Sequence, residues 1–318
     1  MKKEKRPLRL KLRSEGRSWK KSLMSYWQLY LLLIPVVLNF VLFHYVPMAG
    51  IQIAFKDFTL IEGIWDSAWI GFEHFIRFFN AYNFWTILSN TLILSVLSLA
   101  FSFPLSICLA LMINEIRHKK LNSTLQTIFF APHFVSTVVV VGMMQAFLSP
   151  ENGIINILLM KLGVIEEGIY FTRLEEWFRP MYIISGIWQN VGWNAAIYIS
   201  ALSAIDTTLY EAADIDGASK WQQLWRITIP CIWPTIIIQL ILKCGHIMSV
   251  GYEKVLLMQT STNLGVSEII STFVYEKGIQ SQQYDYATAI GLFNSVVNLI
   301  VLLLVNRIAK KRSEVSLF

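Results

Sequence analysis

The sequence predicts an all-α polytopic membrane protein with six transmembrane helices and both termini in the cytoplasm. Three observations carry that prediction: a shortage of charge, six long apolar runs, and basic residues gathered on one side of those runs. Of 318 residues, 55% are apolar and 15% charged, against about 25% charged in an ordinary soluble domain. Much of the surface therefore faces something other than water.

The runs are Leu29–Pro47, Thr86–Ile113, Leu125–Leu148, Met181–Ala204, Ile232–Val250 and Ala287–Asn306. Their lengths match the ~20 residues that cross a hydrocarbon core. Each must be helical, because lipid offers no partner to an unpaired backbone group. None shows the short alternation of a barrel strand. The first run follows basic residues, as a signal peptide would, but it ends in His44-Tyr45-Val46-Pro47 rather than a small-residue cleavage site. It reads as an uncleaved anchor. Pro104, deep in the second run, predicts a tilt or kink there.

Orientation follows from Lys and Arg. Ten lie in segment 1–28, and more follow in loops 114–124 and 205–230 and in tail 307–318, making 19 on one side against 7 in the other three loops. The basic side is cytoplasmic. The opposite loops carry Trp65, Trp69, Trp85 and Trp177, suited to an interfacial belt. The basic N-terminal segment reads as a topology determinant against anionic lipid, with no nucleic-acid role. Cys108, Cys231 and Cys244 fall in or beside spans and offer neither a disulfide framework nor metal spacing. One membrane domain, 29–306, thus lies between a basic segment, 1–28, and a short tail, 307–318.

The cytoplasmic loop 205–230 holds the strongest motif. Thr208 and Glu211 have capping-box spacing, so a short helix is expected from Leu209. Asp216-Gly217 breaks it. A second helix is expected to carry Ala218, Trp221, Leu224 and Trp225 on one apolar face, with Pro230 at the entry to the next span. Small residues at Ala212, Ala213, Gly217 and Ala218 permit close approach by a partner, and Glu211 and Asp216 can accept its hydrogen bonds.

Glu211-Ala212-Ala213, then Asp216-Gly217-Ala218, then Ile227 and Pro230 resemble the signature loop of ABC importer permeases; Leu224 stands where that family often has phenylalanine. Further segments are similar to LplB-type carbohydrate permeases: Trp27–Tyr30, His44–Met48, Gly50–Phe58, Ala131–Val135, Ser185–Asn194 and Tyr286–Phe293. The resemblance implies a type I importer fold in a bacterial plasma membrane, with loop 205–230 docking on an ATPase. It also implies the partners: a second homologous permease, an ABC ATPase dimer, an extracellular solute-binding (lipo)protein and an oligosaccharide. This chain has no G-x-x-x-x-G-K-[ST] loop, so ATP and magnesium are expected on the partner, with no catalytic or metal-binding residue here.

A sugar path needs aromatic faces and amides, and the fourth span offers Trp188, Gln189, Asn190, Trp193, Asn194 and Tyr198. The same residues also suit helix–helix hydrogen bonding. In the fifth span Lys243 and His246 sit at membrane depth, where a charge is paired or faces a cavity. Lys243 has three open readings: a contact to an acidic sugar, snorkelling, or a partner-subunit carboxylate. His133, after Pro132, reads as a structural hydrogen-bonding residue. The competing classes are an ion-coupled secondary transporter and an enzyme on lipid-linked sugars. The second would need acids such as Glu166, Glu167, Glu175 and Glu176, which read as a solvated loop face. Neither accounts for loop 205–230.

Overall fold

The computed structural model describes residues 26–313 and 315–317; most of the basic segment 1–28 lies outside them. The chain divides after Gln52 into two units. The first is dominated by helix α1, which starts at Trp27 and extends to Phe55. From Tyr26 to Ala49 every described residue is exposed. A helix apolar on all sides is one made for lipid.

The second unit begins with a two-stranded ribbon, β1 (Lys56–Asp57) against β2 (Ala68–Trp69), paired antiparallel. Lys56 is buried, and its ammonium donates to the carbonyls of Ile64 at 2.7 Å and Trp65 at 3.1 Å. Helix α2 (Glu73–Phe79) then leads into α3 (Phe84–Asn114), which runs unbroken through Pro104.

The third apolar run is not a straight span. It divides into α4 (Lys119–Phe134) and α5 (Thr137–Phe147), which meet at 95°. Pro132 tightens the end of α4 into a 3₁₀ turn, and Val135 and Ser136 take extended backbone before Ser136 caps α5. Apolarity continues across the break, so hydropathy alone does not reveal it. Short helix α6 (Ile154–Lys161) follows, then α7 (Glu175–Ser203).

After α8 (Thr207–Ile215), a single helix α9 runs from Lys220 to Cys244. This corrects one expectation: the second helix of the loop is continuous with the next run instead of being a separate element. Pro230 stands in the first turn of the stretch Ile229–Cys244. A wide π turn over Leu224–Thr228 precedes the proline, the kind of local widening that accommodates a residue with no N–H to give. The fifth run also ends early, since α9 stops at Cys244 instead of continuing to Val250. Short helices α10 (Tyr252–Met258), α11 (Leu264–Ser267) and α12 (Ile270–Tyr275) lead to α13 (Tyr284–Ser313). Helix α13 absorbs the first residues assigned to the tail.

Helices α1, α3, α9 and α13 are each long and apolar enough to cross a membrane, and α4 with α5 passes as a bent pair. Helix α7 has the length, with 29 residues, but Gln189, Asn190, Asn194 and several aromatics dilute its apolarity.

Three apolar cores hold the second unit together. Leu94, Val141, Phe178, Val255 and Ile269 form one, around α3, α5, α7 and α10. Phe78, Ile87, Ile270, Phe273 and Ile290 join α2, α3, α12 and α13. Ala110, Ala195, Leu202 and Ile232 join α3, α7 and α9. The pairing of α3 with α7 is the most extensive in the molecule.

Candidate functional sites: an elbow between two helices and a polar groove

The segment between α7 and α9 forms an elbow whose shape is set by neighbours in sequence. Asp206, not Thr208, caps α8: its carboxylate accepts from the Thr208 N–H at 2.9 Å, so the helix starts at Thr207. Both residue types are good caps, and the carboxylate also faces the positive end of the helix dipole. That bond holds the Asp206 carboxyl below its ordinary pKa.

At the other end Gly217 takes φ +72°. Its N–H meets the Asp214 carbonyl at 3.1 Å and the Ala218 N–H reaches the Ala213 carbonyl at 2.9 Å. This pair of bonds is the Schellman termination, with glycine in the left-handed position. Ser219 and Gln222 then form a reciprocal capping box for α9.

Asp214, which belongs to no motif in the sequence, clamps the turn. Its carboxylate accepts from the Gln223 amide and from Lys220 at 3.3 Å, and both hold its pKa below the ordinary value. Tyr210 hydrogen-bonds Thr228 at 2.9 Å and ties α8 to α9. The elbow thus leaves Glu211, Ala212, Asp216 and Gly217 exposed, while Ala213, Ala218, Leu224 and Ile227 are half-buried and Pro230 is exposed. Apolar side chains also face outward: Ile215 is 86% exposed, and Trp221 and Trp225 pack edge to face.

The second site is a groove formed by two adjoining cavities of about 290 and 280 Å³. Both are lined by Ser98 and Ser102 of α3, Tyr182 and Asn194 of α7, and Lys243 of α9. The first continues past His246 to Gly251, and the second past Asn190, Trp193 and His133 to Lys254.

Each break in a helix feeds this groove. Gly192 is buried where α4 crosses α7, and a Cβ there would sit 2.1 Å from the Phe129 carbonyl oxygen. That close crossing sets His133 against α7. The His133 ring stacks on Trp193 with centroids 4.6 Å apart, and its Nδ1 lies 3.0 Å from the Asn190 side-chain oxygen. The Gln189 amide donates to the freed carbonyl of Val135 at 2.8 Å.

On the far side, the break after Cys244 is fixed by Asn298 of α13. It accepts from the Met248 N–H and donates to the Ser249 hydroxyl, both at 2.9 Å. The chain then returns into α10 and brings Lys254 under Tyr182. The Lys254 ammonium donates to the Tyr182 carbonyl at 3.0 Å and lies 4.7 Å from the ring centroid.

Five of the six expected pathway residues therefore share the groove: Asn190, Trp193, Asn194, Lys243 and His246. Trp188 does not line it and is 45% exposed. Asn190 and Trp193 also serve the packing of the α4 bend, through His133. Lys254, Tyr182 and the α3 serines are additions. Lys254 falls between runs in the sequence, and only the break after Cys244 carries it inward.

Residues 102–314 match the family described as binding-protein-dependent transport system inner membrane component. The chain belongs to that family. It is 44% identical over 290 residues to the polygalacturonan/rhamnogalacturonan transport system permease protein YteP of Bacillus subtilis, covering 91% of this chain and 90% of that one. Protein LplB of the same organism is 43% identical over 304 residues, 96% and 95% of the two chains. A crystal structure of a bacterial alginate ABC transporter with an alginate pentasaccharide-bound periplasmic protein contains a chain that superposes with a TM-score of 0.86 at 41% identity. The match covers 95% of this chain and all of that one. The chain is thus a membrane subunit of a binding-protein-dependent transporter, with an ABC importer permease fold.

Proposed function

We propose that this chain forms half of the path by which an oligosaccharide, derived from a complex polysaccharide, enters a bacterial cell at the expense of ATP. The other half is a second homologous permease. ATP and magnesium bind an ABC ATPase dimer on the cytoplasmic side, and an extracellular solute-binding protein delivers the sugar. In this reading six segments cross the plasma membrane, α7 and the α4–α5 pair included, and both termini are cytoplasmic. The similar transporters for polygalacturonan and alginate support the class of cargo.

The observation that carries the mechanism is the continuity of α9. One helix of 25 residues begins at the elbow and ends at Lys243-Cys244, beside the groove. At 1.5 Å per residue it extends roughly 37 Å. A displacement of the docked elbow is therefore delivered to the groove through one continuous helix rather than through a loop. Exposed Glu211, Ala212, Asp216 and Gly217 make the docking face. ATP-driven closure of the ATPase pulls the elbows together, the groove opens outward to receive sugar, and hydrolysis returns it to the cytoplasmic side.

Uptake in proteoliposomes holding the complete complex tests this. Glu211→Ala and Gly217→Pro are expected to abolish sugar-stimulated ATP hydrolysis and uptake while the two permeases still assemble. ATP-coupled uptake at wild-type rate in both variants would remove the elbow from the mechanism. Uptake driven by an ion gradient without ATP would replace the importer with a secondary transporter.

A further inference from the structure

The similar alginate importer handles an acidic polysaccharide; which side chains of such a complex read the acid is a separate question. In this chain the groove holds Lys243 and Lys254, with His246 lining one cavity and His133 the other. Among the described residues no aspartate or glutamate lines either cavity. Nor does either lysine come within ion-pair distance of a carboxylate; the ion pairs found lie elsewhere.

The imbalance is sharpest at Lys254, which is 8% exposed. An ammonium has three protons to donate. Lys254 gives one to the Tyr182 carbonyl and turns toward the Tyr182 ring, which is electrostatic support but not a counter-charge. The bare backbone of Gly186 sits next to it, where a Cβ would already lie 3.4 Å from Nζ. Lys243 has one long contact, 3.4 Å to the Asn194 side-chain oxygen. Buried cations in native proteins are paired, so Lys254 marks where negative charge arrives, and Lys243, exposed in the same groove, adds a second positive charge beside it.

The α3 wall of the groove carries hydroxyls. Ser95, Ser98, Ser102 and Ser106 follow one another down α3 at helical spacing and line the first cavity. The Ser98 hydroxyl is buried with no partner, although Ser106 is satisfied by the Ser102 carbonyl.

We propose that Lys254, with Lys243, reads the carboxylate of a uronate-type sugar unit, and that the Ser98 and Ser102 hydroxyls bond its ring oxygens. The anion selectivity of the transporter is then built into this subunit and does not rest on the binding protein alone. This assignment rests on the importer reading above and adds the charge of the cargo and the atoms that meet it.

The complete complex in proteoliposomes is supplied with radiolabelled trigalacturonate or its methyl ester, which keeps size and hydroxyls but removes the charge. The same binding protein serves every reaction, so the ratio of acid to ester uptake, variant against wild type, isolates the permease. Lys254→Met is expected to lower that ratio at least about tenfold, the cost of leaving a buried charged partner unmet, and Lys254→Arg to restore most of it. Lys243→Met, at a more open position, is expected to lower it by about threefold. Equal loss of both substrates in an assembled complex would make the lysines structural and overturn the inference. So would a wild type that takes the ester as fast as the acid. Loss of the second permease from purified Lys254→Met would assign the charge to a subunit carboxylate and would overturn it as well. Uptake independent of ATP would overturn the importer reading first; ATP-driven uptake with an unmoved ratio would overturn this inference alone.

Discussion

The elbow and the groove are both polar, yet they are assembled in opposite ways. Side-chain bonds in the elbow join residues 2 to 18 positions apart, from Asp206 with Thr208 to Tyr210 with Thr228. The polar bonds that shape the groove join residues 49 to 72 positions apart, from Lys243 with Asn194 to Lys254 with Tyr182. The elbow satisfies its own turn. The groove leaves a hydroxyl and two ammonium groups short of partners. The proposed function accounts for the difference: an elbow that transmits force needs a fixed shape, whereas a groove that handles cargo needs groups still free to bond it.

The two glycines on which these regions turn sharpen the contrast. Gly192 matters for space: it has an ordinary φ and no room for a Cβ against Phe129. Gly217 matters for torsion, with φ +72° and no atom within 4 Å of its added Cβ. Gly192→Ala is the largest effect expected. It forces α4 off α7, unseats His133 from Asn190 and Trp193, and destabilises the subunit by about 1–3 kcal/mol, the usual range for overpacking. Thermal unfolding of the purified complex would register it, and an unchanged midpoint would mean that the crossing is looser than the geometry states. Gly217→Ala is expected to cost about 1–2 kcal/mol, that of a left-handed alanine, but to act locally. Coupling of ATP hydrolysis to uptake falls while the global unfolding midpoint barely moves. Asparagine, which tolerates that conformation, should recover most of the coupling.

The same difference in range decides what is legible in the sequence. Glu211, Gly217 and Pro230 stand out because an elbow made of local bonds leaves its residues at fixed spacings. The ambiguity there is local too: Asp206 and Thr208 are both capable caps two residues apart, and the chain uses Asp206. Hydropathy marks the six runs but not the bend at Pro132, because Val135 is as apolar outside a helix as within one. Lys254 is the residue the sequence hides best. Between Glu253 and Val255 it looks like any loop lysine, and its burial depends on Tyr182, 72 positions earlier.

The smallest expected effect probes the elbow's own electrostatics. Asp214 is held below its ordinary pKa of 3.8 by the Gln223 amide and by Lys220. A depressed folded pKa means that the stabilisation is complete above the unfolded value and is lost as pH falls through the folded one. The clamp is therefore expected to be constant through neutral and mildly acidic pH and to loosen only below about pH 4. Asp214→Asn keeps the shape and an acceptor oxygen but removes the titrating charge. Trp221 and Trp225, on the first turns of α9, report the clamp; fluorotryptophan labels there give fluorine resonances that can be followed through an acid titration. In wild type both resonances should shift below about pH 4, and in Asp214→Asn that shift should disappear. An equal shift in the two proteins would place the acid-sensitive group elsewhere, with Asp206 next in line. That outcome would move the anchor of the elbow from its turn to the cap of α8.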